Sequence, residues 1–293
     1  MNDNPDVLGI DVGGQNIKVG WVNGGNVSDF KRIPIKAENV VEEVIKLISS
    51  YELTSDTIIG VGFPGFVSNG IIYTPPNLPT INEFNLKELL SKETPSNVYI
   101  TNDANAVIYG ESLYGAAKDY RIVAGFTLGT GIGGALIIDK TIYTGSRGFA
   151  SEFGHMIVDA DGPICKCGKT GCLEAFIGAY AISNLYKTKS GEDASLKDIF
   201  KKANKGDEFA KQVVNEYGFY LAIGINNIIE AFDPDIVVLA GGVSKSGEQI
   251  MESLKENDLL KRRFISGVKI KVSKLGDTAG PIGAANWALR KHK

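Results

Sequence analysis

The sequence predicts an α/β protein built from two lobes. The chain has 293 residues, which corresponds to about two domains at roughly 150 residues each. Apolar segments typical of strands alternate along the chain with segments of helical periodicity, as in α/β architectures. The pattern from Leu8 to Trp21 also returns from Ala124 to Ile137. Such a repeat favours two lobes of related topology over two unrelated hairpins.

The first lobe is expected to contain residues 1–117. Its helix at 38–50 presents an apolar face of Val41, Val44, Ile45 and Ile48. A second helix starts at Asn102, a suitable N-cap, and runs to about Ala117. A proline-rich loop is predicted at 74–80. The predicted strands of this lobe are 7–10, 17–22, 57–63 and 98–101.

The second lobe is expected to contain residues 118–279, and the last helix, 280–291, to pack back on the first lobe. Between its strands and helices lies an irregular segment, 145–174, rich in glycine and cysteine. The predicted strands are 122–128, 135–138, 235–240 and 268–273. The predicted helices are 174–187, 195–203 and 207–231.

Composition and charge exclude several classes of protein. Hydrophobic residues make up 43% of the chain and charged residues 22%, as in ordinary globular proteins. The net charge is -3, and the sequence has no long run of like charges. It therefore lacks the basic surface that binding to nucleic acid or an anionic membrane requires. No apolar run reaches the ~18 residues of a membrane span. The N-terminus does not resemble a signal peptide, so a cytoplasmic protein is expected.

Both copies of the repeat place a glycine-rich turn after an apolar strand. The first turn contains Asp11, Gly13 and Gly14, and the second is the loop 129–134. Glycines let backbone N–H groups approach an anion closely, so these turns favour phosphate binding. A carboxylate such as Asp11 would repel phosphate unless a cation intervenes, which predicts Mg²⁺. The second loop also has G-x-G-x-x-G spacing, but a strand follows it, which excludes a dinucleotide fingerprint.

The segment around residue 165 carries a metal-binding pattern. His155, Cys165, Cys167 and Cys172 include all three cysteines and one of the two histidines of the chain. One imidazole and three thiolates complete a tetrahedral zinc site and leave no position for water. The sequence therefore predicts structural rather than catalytic zinc.

Several carboxylates have either a structural or a functional interpretation. Asp103 stands at the start of a predicted helix, where capping is the common role, but Asn102 and Asn105 add more polar groups than a cap needs. Glu152 and Glu174 flank the metal segment. Each alone could be a surface charge, whereas both beside a tethered histidine favour binding of a polyol.

These motifs together resemble the ROK family (repressor, open reading frame, kinase). The first glycine turn with Lys18 resembles the family's first phosphate motif, and Leu128 to Gly134 its second. Ala240 to Val243 resembles the nucleotide-side glycine motif. The segment from Glu152 to Glu174 resembles the family signature almost residue for residue. The resemblance spans nearly the whole chain. Three residues depart from the pattern: Gln15, Thr80 and Ser151.

The resemblance implies an actin-like, ribonuclease H-like ATPase fold with a cleft between its lobes. It also implies that Asp103 is the general base on the sugar hydroxyl and that zinc, through His155, organises the sugar site. The implied sugar ligands are Gly65, Asn77, Asn102, Asp103, Glu152, His155 and Glu174. The implied ATP ligands are Asp11, Gly13, Gly14, Lys18, Thr130, Gly131, Gly241 and Gly242.

The function that the resemblance implies is transfer of the γ-phosphate of MgATP to the 6-hydroxyl of a hexose, with glucose as the expected substrate. A kinase for N-acetylmannosamine or N-acetylglucosamine is the alternative, because the sequence does not show the pocket at C2. A sugar-responsive repressor is disfavoured, since only ten residues precede Asp11 and no DNA-binding domain is expected. A homodimer or homotetramer is implied, without identified interface residues.

Overall fold

The computed structural model describes residues 7–35, 39–73, 83–255, 257–261 and 267–293. Strands and helices alternate along these residues, which confirms the predicted α/β class. The strands are β1 (Val7–Val12), β2 (Asn16–Asn23), β3 (Asn26–Pro34), β4 (Ile58–Phe63), β5 (Phe66–Ser68), β6 (Ile71–Tyr73), β7 (Glu83–Asn85), β8 (Asn97–Asn102), β9 (Ile122–Leu128), β10 (Ile132–Ile138), β11 (Thr141–Ile142), β12 (Ile236–Ala240) and β13 (Lys269–Val272). The helices are α1 (Val40–Ser49), α2 (Leu86–Lys92), α3 (Asp103–Tyr114), α4 (Leu173–Ile177), α5 (Ala179–Ser190), α6 (Leu196–Asn204), α7 (Glu208–Phe232), α8 (Gly247–Lys255) and α9 (Ala279–His292).

The first sheet has the strand order β3-β2-β1-β4-β8. Strands β1, β4 and β8 run parallel, whereas β2 and β3 continue the sheet antiparallel from β1. Every residue of β1 and β4 is buried, as expected for parallel strands covered on both faces. Helix α9 covers part of this sheet. A Cβ on Gly60 would collide with the carbonyl of Ala284, so glycine allows the helix backbone to lie directly on β4.

The second sheet has the order β11-β10-β9-β12-β13, which repeats the order of the first sheet. Strand β12 runs parallel to both β9 and β13, as β4 does to β1 and β8. The two segments of the sequence repeat are therefore the central hairpin strands of the two sheets. This common strand order confirms the predicted relation between the two halves of the chain.

The chain divides into two compact units. The first comprises the described residues within Met1–Asp119, Ala135–Ser151 and Lys274–Lys293, and the second those within Tyr120–Gly134 and Glu152–Ser273. The lobe boundaries predicted at residues 117 and 279 stay a prediction. In the first unit a small sheet of order β5-β6-β7 accompanies the large one. In the second, the 25-residue helix α7 packs against α4, α5, α6 and α8.

Most predicted strands and helices are present, with some corrections. The predicted helix 174–187 is two helices, because extended backbone at Gly178 separates α4 from α5. The apolar face of α1 buries Leu47, whereas Val41 and Ile45 are only half-buried. The strand predicted at 135–138 begins earlier, at Ile132. Residues 74–80 lie outside the described residues. Among the described helices, none is long and apolar enough to cross a lipid bilayer.

Candidate active site

Asp103 is the first residue of helix α3, directly after strand β8. The N-cap of the helix is Asn102, whose side-chain oxygen accepts a hydrogen bond from the Asn105 amide at 3.0 Å. The Asn102 side-chain amide also donates to the Gly65 carbonyl at 3.0 Å. The Asp103 carboxylate accepts a hydrogen bond from the Ala104 amide at 2.9 Å. The N-cap residue of α3 is therefore Asn102, and Asp103 is the first residue inside the helix.

The environment of Asp103 disfavours its charged form. Burial, and then the like charge of Asp11, raise the pKa of Asp103 to about 6, against weaker opposing effects of the Ala104 amide and Lys18. Gly62 lies between the two acidic residues. A Cβ there would stand 3.4 Å from Asp103 Cα and 3.8 Å from Asp11 Oδ1. A carboxylate with this pKa can take up a proton close to neutral pH.

Asp11 and Lys18 form a largely buried ion pair on the adjacent strands β1 and β2. Lys18 Nζ lies 3.0 Å from Asp11 Oδ2 and 4.0 Å from Asp277 Oδ1, while Arg32 Nη1 lies 3.5 Å from Asp277 Oδ2. The negative charge of Asp11 raises the pKa of Lys18, so the lysine stays protonated. Helix α9 approaches the same carboxylate, because a Cβ on Gly280 would collide with it.

The three glycine turns have different local structures. In the first, the Gly13 amide donates to the Asn16 carbonyl at 3.0 Å and closes the turn, while Gly14 is exposed. In the second, the Gly129 amide donates to the Gly131 carbonyl at 3.1 Å, and Thr130 is exposed. The amides of Gly13 and Gly129 therefore each donate to a carbonyl within their own turn.

The third turn, Gly241-Gly242, follows strand β12. Gly241 has a φ of 94°, and a Cβ there would lie 2.5 Å from the Leu128 carbonyl oxygen, so glycine is required. A Cβ on Gly242 would meet no atom within 4 Å. Since β9 and β12 are neighbouring parallel strands, the second and third turns leave the same edge of the second sheet. That edge is where α/β proteins bind ligands.

The predicted metal ligands come together. The side-chain donor atoms of His155, Cys165, Cys167 and Cys172 all lie within 4.8 Å of one another. His155 Nδ1 is 3.7 Å from Cys165 Sγ, and Cys167 Sγ is 3.6 Å from Cys172 Sγ. With Zn–S bonds of about 2.3 Å, the edge of a zinc tetrahedron measures about 3.8 Å. The donor set and its spacing therefore fit zinc.

Backbone hydrogen bonds shape this metal segment. The Cys165 amide donates to the Lys169 carbonyl at 2.8 Å, which folds Cys165 and Cys167 into a tight turn. Cys172 forms an isolated β-bridge with Ile157, which brings it back beside His155. The short Cys-x-Cys spacing is therefore compatible with four converging ligands.

The acidic residues that flank the metal segment differ in their contacts. Glu152 is half-buried and directly precedes a short 3-10 helix, Phe153–His155. Glu174 accepts a hydrogen bond from the Ile132 amide through Oε2 at 2.8 Å, a contact that the sequence pattern does not indicate. Ser151, at a departure from the family pattern, has a φ of 69°, the left-handed region that favours glycine.

Two residues that the sequence pattern singled out, Asn77 and Thr80, lie outside the described part of the chain. Three residues near Asp11 or Lys18 became apparent only from the structure: Gly62, Asp277 and Gly280. The available signal was the run Asp277-Thr278-Ala279-Gly280, a polar and small-residue helix start like the one at Asn102-Asp103-Ala104.

The chain is similar to known sugar kinases in sequence and in structure. The chain is 34% identical over 304 residues to a glucokinase of Thermotoga maritima, covering 96% of each protein. It is 32% identical over 286 residues to an N-acetylmannosamine kinase of Haemophilus influenzae, covering 96% of this chain and 94% of the relative. A crystal structure of a ROK family glucokinase from Streptomyces griseus in complex with glucose and AMPPNP superimposes with a TM-score of 0.86. That match has 26% identity and covers 97% of this chain and 99% of the other.

The likeness to this and other solved structures confirms the actin-like ATPase fold. The ROK family model matches residues 7–291, from the first strand to the last helix. The Asp11–Lys18 pair, Asp103 and the His155–cysteine cluster all lie within that match. The chain belongs to the ROK family.

Proposed function

We propose that the chain is an ATP-dependent hexokinase that transfers the γ-phosphate of MgATP to the 6-hydroxyl of a hexose, with glucose as its preferred substrate. The observation that carries the proposal is Asp103, a carboxylate with a pKa of about 6 beside the Asp11–Lys18 ion pair. The similarity to glucokinases over nearly the full length supports the same reaction.

Asp103 is proposed as the general base. Phosphoryl transfer asks the protein mainly for positioning, charge neutralisation and removal of one proton. The Asp103 carboxylate would accept the proton of the attacking hydroxyl. A pKa of about 6 leaves the carboxylate mostly ionised at neutral pH, and the upward shift makes it a stronger base than an ordinary aspartate. The bond from the Ala104 amide fixes one oxygen at the helix start.

The phosphate chain is proposed to bind at the glycine turns. Gly14, Thr130, Gly131, Gly241 and Gly242 would contact ATP through backbone N–H groups. The Gly13 amide is taken by the Asn16 carbonyl, so Gly13 would contact ATP only by letting the backbone approach it closely. Asp11 would hold Mg²⁺, directly or through water, since hard oxygen ligands suit this ion. When bound, Mg²⁺ neutralises charge on the phosphates. Lys18, held by Asp11, adds a fixed positive charge in the first unit.

The hexose is proposed to bind through hydroxyl contacts with a small set of polar groups. His155 faces the cysteines with Nδ1, which makes Nε2 the nitrogen for a sugar hydroxyl. Zinc on Nδ1 would fix the orientation of this ring. The other proposed sugar ligands are Gly65, Asn77, Asn102, Asp103, Glu152 and Glu174. We propose a cytoplasmic homodimer or homotetramer as the acting form.

Phosphorylation of N-acetylmannosamine is the second candidate, favoured by the 32% identity to a kinase for that sugar. N-acetylglucosamine belongs to the same alternative. These sugars carry an acetamido group at C2, whereas glucose has a hydroxyl there. The residues proposed to bind sugar do not by themselves distinguish the two groups.

Release of ADP from MgATP with a panel of hexoses tests the proposal. We expect glucose to give the highest kcat/KM, with phosphate at C6. A tenfold or greater preference for an N-acetylated hexosamine would replace glucose as the substrate and leave the kinase reaction in place. Absence of sugar-dependent ADP release with every hexose would refute the kinase.

Substitution Asp103→Ala tests the base within that assay. We expect kcat to fall about 10²- to 10⁴-fold, the usual range for loss of a general base. The Kd of glucose should change much less, because other groups are proposed to hold the sugar. A variant with wild-type kcat would leave Asp103 without a role in the reaction.

A further inference from the structure

The glycine loop 129–134 is held from outside by one carboxylate. The Ile132 amide donates to Glu174 Oε2 at 2.8 Å, where strand β10 begins. A Cβ on Gly131 would lie 2.5 Å from the same oxygen, closer than real Cβ contacts occur. Gly131 therefore has a second role besides approach to a phosphate. It leaves room for the Glu174 carboxylate against the loop backbone.

Glu174 is itself held next to the metal segment. It lies in the first turn of α4, whose N-cap is the metal-ligand candidate Cys172. Its second oxygen, Oε1, lies 3.9 Å from Cys165 Sγ. The amide of Ala179, just after α4, donates to the Gly129 carbonyl at 3.2 Å. The glycine loop is thus contacted by a side chain of α4 and by the first backbone amide of α5.

The other backbone group of Ile132 faces the metal segment as well. A Cβ on Gly154, the neighbour of His155, would collide with the Ile132 carbonyl. The Ile132 amide and carbonyl therefore contact the two elements that carry the metal-ligand candidates His155 and Cys172. All of these residues belong to the second unit.

We propose that Glu174 is a positioning residue for the nucleotide: through the Ile132 amide it fixes the glycine loop 129–134 in its phosphate-binding conformation. This inference rests on the proposed kinase function, and it adds a role that a sugar ligand alone would not have. A carboxylate has two oxygens: Oε2 holds the loop, while Oε1, which also accepts from the Cys165 thiol at 3.9 Å, would be the one to meet a sugar hydroxyl. The metal segment then supports both substrates, because it carries the residue that holds the loop.

Binding of MgADP in the absence of sugar tests the proposal directly. Loss of a partly buried hydrogen bond to a charged group predicts that Glu174→Ala raises the Kd of MgADP about 5- to 50-fold in calorimetry. Hydrogen exchange at the Ile132 amide should become at least about tenfold faster for the same reason. Glu174→Gln keeps one acceptor oxygen and should fall between wild type and Glu174→Ala. Unchanged zinc content would show that the variants keep their metal segment.

Two variants serve as matched controls. Glu152→Gln, at the other flanking acid, should weaken glucose binding and leave the Kd of MgADP unchanged. Gly129→Ala adds a methyl group that meets no atom within 4 Å, so exchange at Ile132 should remain at the wild-type rate. Gly131→Ala, in contrast, should accelerate that exchange by displacing Glu174. Its effect should largely disappear in a Glu174→Ala background, as in a double-mutant cycle of coupled residues.

If the Glu174→Ala variant bound MgADP with wild-type affinity and its Ile132 amide exchanged at the wild-type rate, the positioning role would be wrong. Glu174 would then be a proposed sugar ligand only. Additive effects of Gly131→Ala and Glu174→Ala would overturn the positioning role as well. Neither readout requires turnover or sugar. If no hexose were phosphorylated but both readouts changed as expected, the proposed function would fail while the positioning role would stand.

Discussion

The surroundings of Asp103 disfavour its charged form, and this predicts how activity depends on pH. The proposed base must be ionised, and its pKa is raised to about 6 by burial and by Asp11. We therefore expect kcat/KM for the hexose to fall as pH decreases through about 6. The initial rates of the wild-type enzyme between pH about 5 and 8 measure this midpoint. A profile that stays level down to pH about 4.5 would contradict a base with this pKa.

The same shift predicts an effect on folding. The pKa of Asp103 is higher in the folded protein than the ~3.9 of an unfolded aspartate, so folding favours the protonated form. Its contribution to stability is fully present below pH about 4 and is lost as pH rises through about 6. The variant Asp103→Asn cannot ionise, and Asn keeps an acceptor for the Ala104 amide. It should therefore be more stable than wild type at pH about 7.5 by roughly 1–3 kcal/mol.

Denaturant unfolding of the two proteins at several pH values measures this difference. The gain of Asp103→Asn should shrink as pH falls through 6 and vanish near pH 4. Such a variant would be inactive yet more stable, the trade-off expected where a catalytic group sits in a costly environment. A variant less stable than wild type at every pH would show that the carboxylate is a stabilising structural group.

At the scale of elements, helix α3 is held by a buried carboxylate outside the proposed reaction. Glu111 is fully buried and accepts hydrogen bonds from the amides of Ala116, Lys274 and Leu275 at 2.7, 3.1 and 2.8 Å. It thereby ties the end of α3 to the loop that leads to Asp277. Because both the Asp103 helix and the Lys18 network depend on these segments, Glu111 stabilises the frame of the first unit.

We expect Glu111→Ala to destabilise the protein by about 3–5 kcal/mol, because it removes a fully buried carboxylate and leaves three partly buried amides without this acceptor. Glu111→Gln restores one acceptor and should cost less. Glu88→Ala is the matched control, since it removes an exposed glutamate paired with Lys92, a contact worth ~0.5 kcal/mol or less. Equilibrium unfolding in denaturant compares the three variants. Equal destabilisation by Glu111→Ala and Glu88→Ala would contradict the role of Glu111.

The sequence predicted the buried elements better than the exposed ones. Strands such as β4 and β12 are continuous apolar runs, because helices or loops cover both faces of a parallel strand. Strand β3 was missed since it lies at the sheet edge, is mostly exposed and lacks apolar alternation. The break at Gly178 was missed because the sequence on either side continues a helical pattern. A regular pattern of apolar residues thus indicates a buried element, and exposed strands at a sheet edge show little of this pattern.

At the scale of the whole molecule, the sequence predicted individual chemical groups but not their tertiary partners. The zinc ligands were predictable because four rare residues lie close together in the chain. The Asp11–Asp103 neighbourhood and the Glu174–Ile132 bond join residues that are far apart in sequence. Only the packing of the strands and helices brings such groups together. The repeated sheet order was predictable because the glycine-rich hairpin itself is repeated.

The two units of the chain lead to a prediction about zinc and folding. All four metal-ligand candidates lie in the second unit, where the donor spacing fits a closed tetrahedral site. Binding to such a site contributes directly to folding free energy. We therefore expect about one zinc per chain in protein purified without chelators, by elemental analysis. Removal of zinc by a chelator, or the substitution Cys167→Ala, should lower the melting temperature.

The loss of stability should be concentrated in the unit that carries the metal, because proteins open in local cooperative segments. Hydrogen exchange should accelerate in α4 and in the segment from His155 to Cys172, while strands β1 and β4 serve as the internal reference. Added Zn²⁺ should restore the chelated wild type but not Cys167→Ala, and Mg²⁺ should restore neither. If chelation changed neither melting nor exchange, the cysteines would be a reduced cluster that folds without metal. The tight convergence of three thiols and one imidazole would then need another cause.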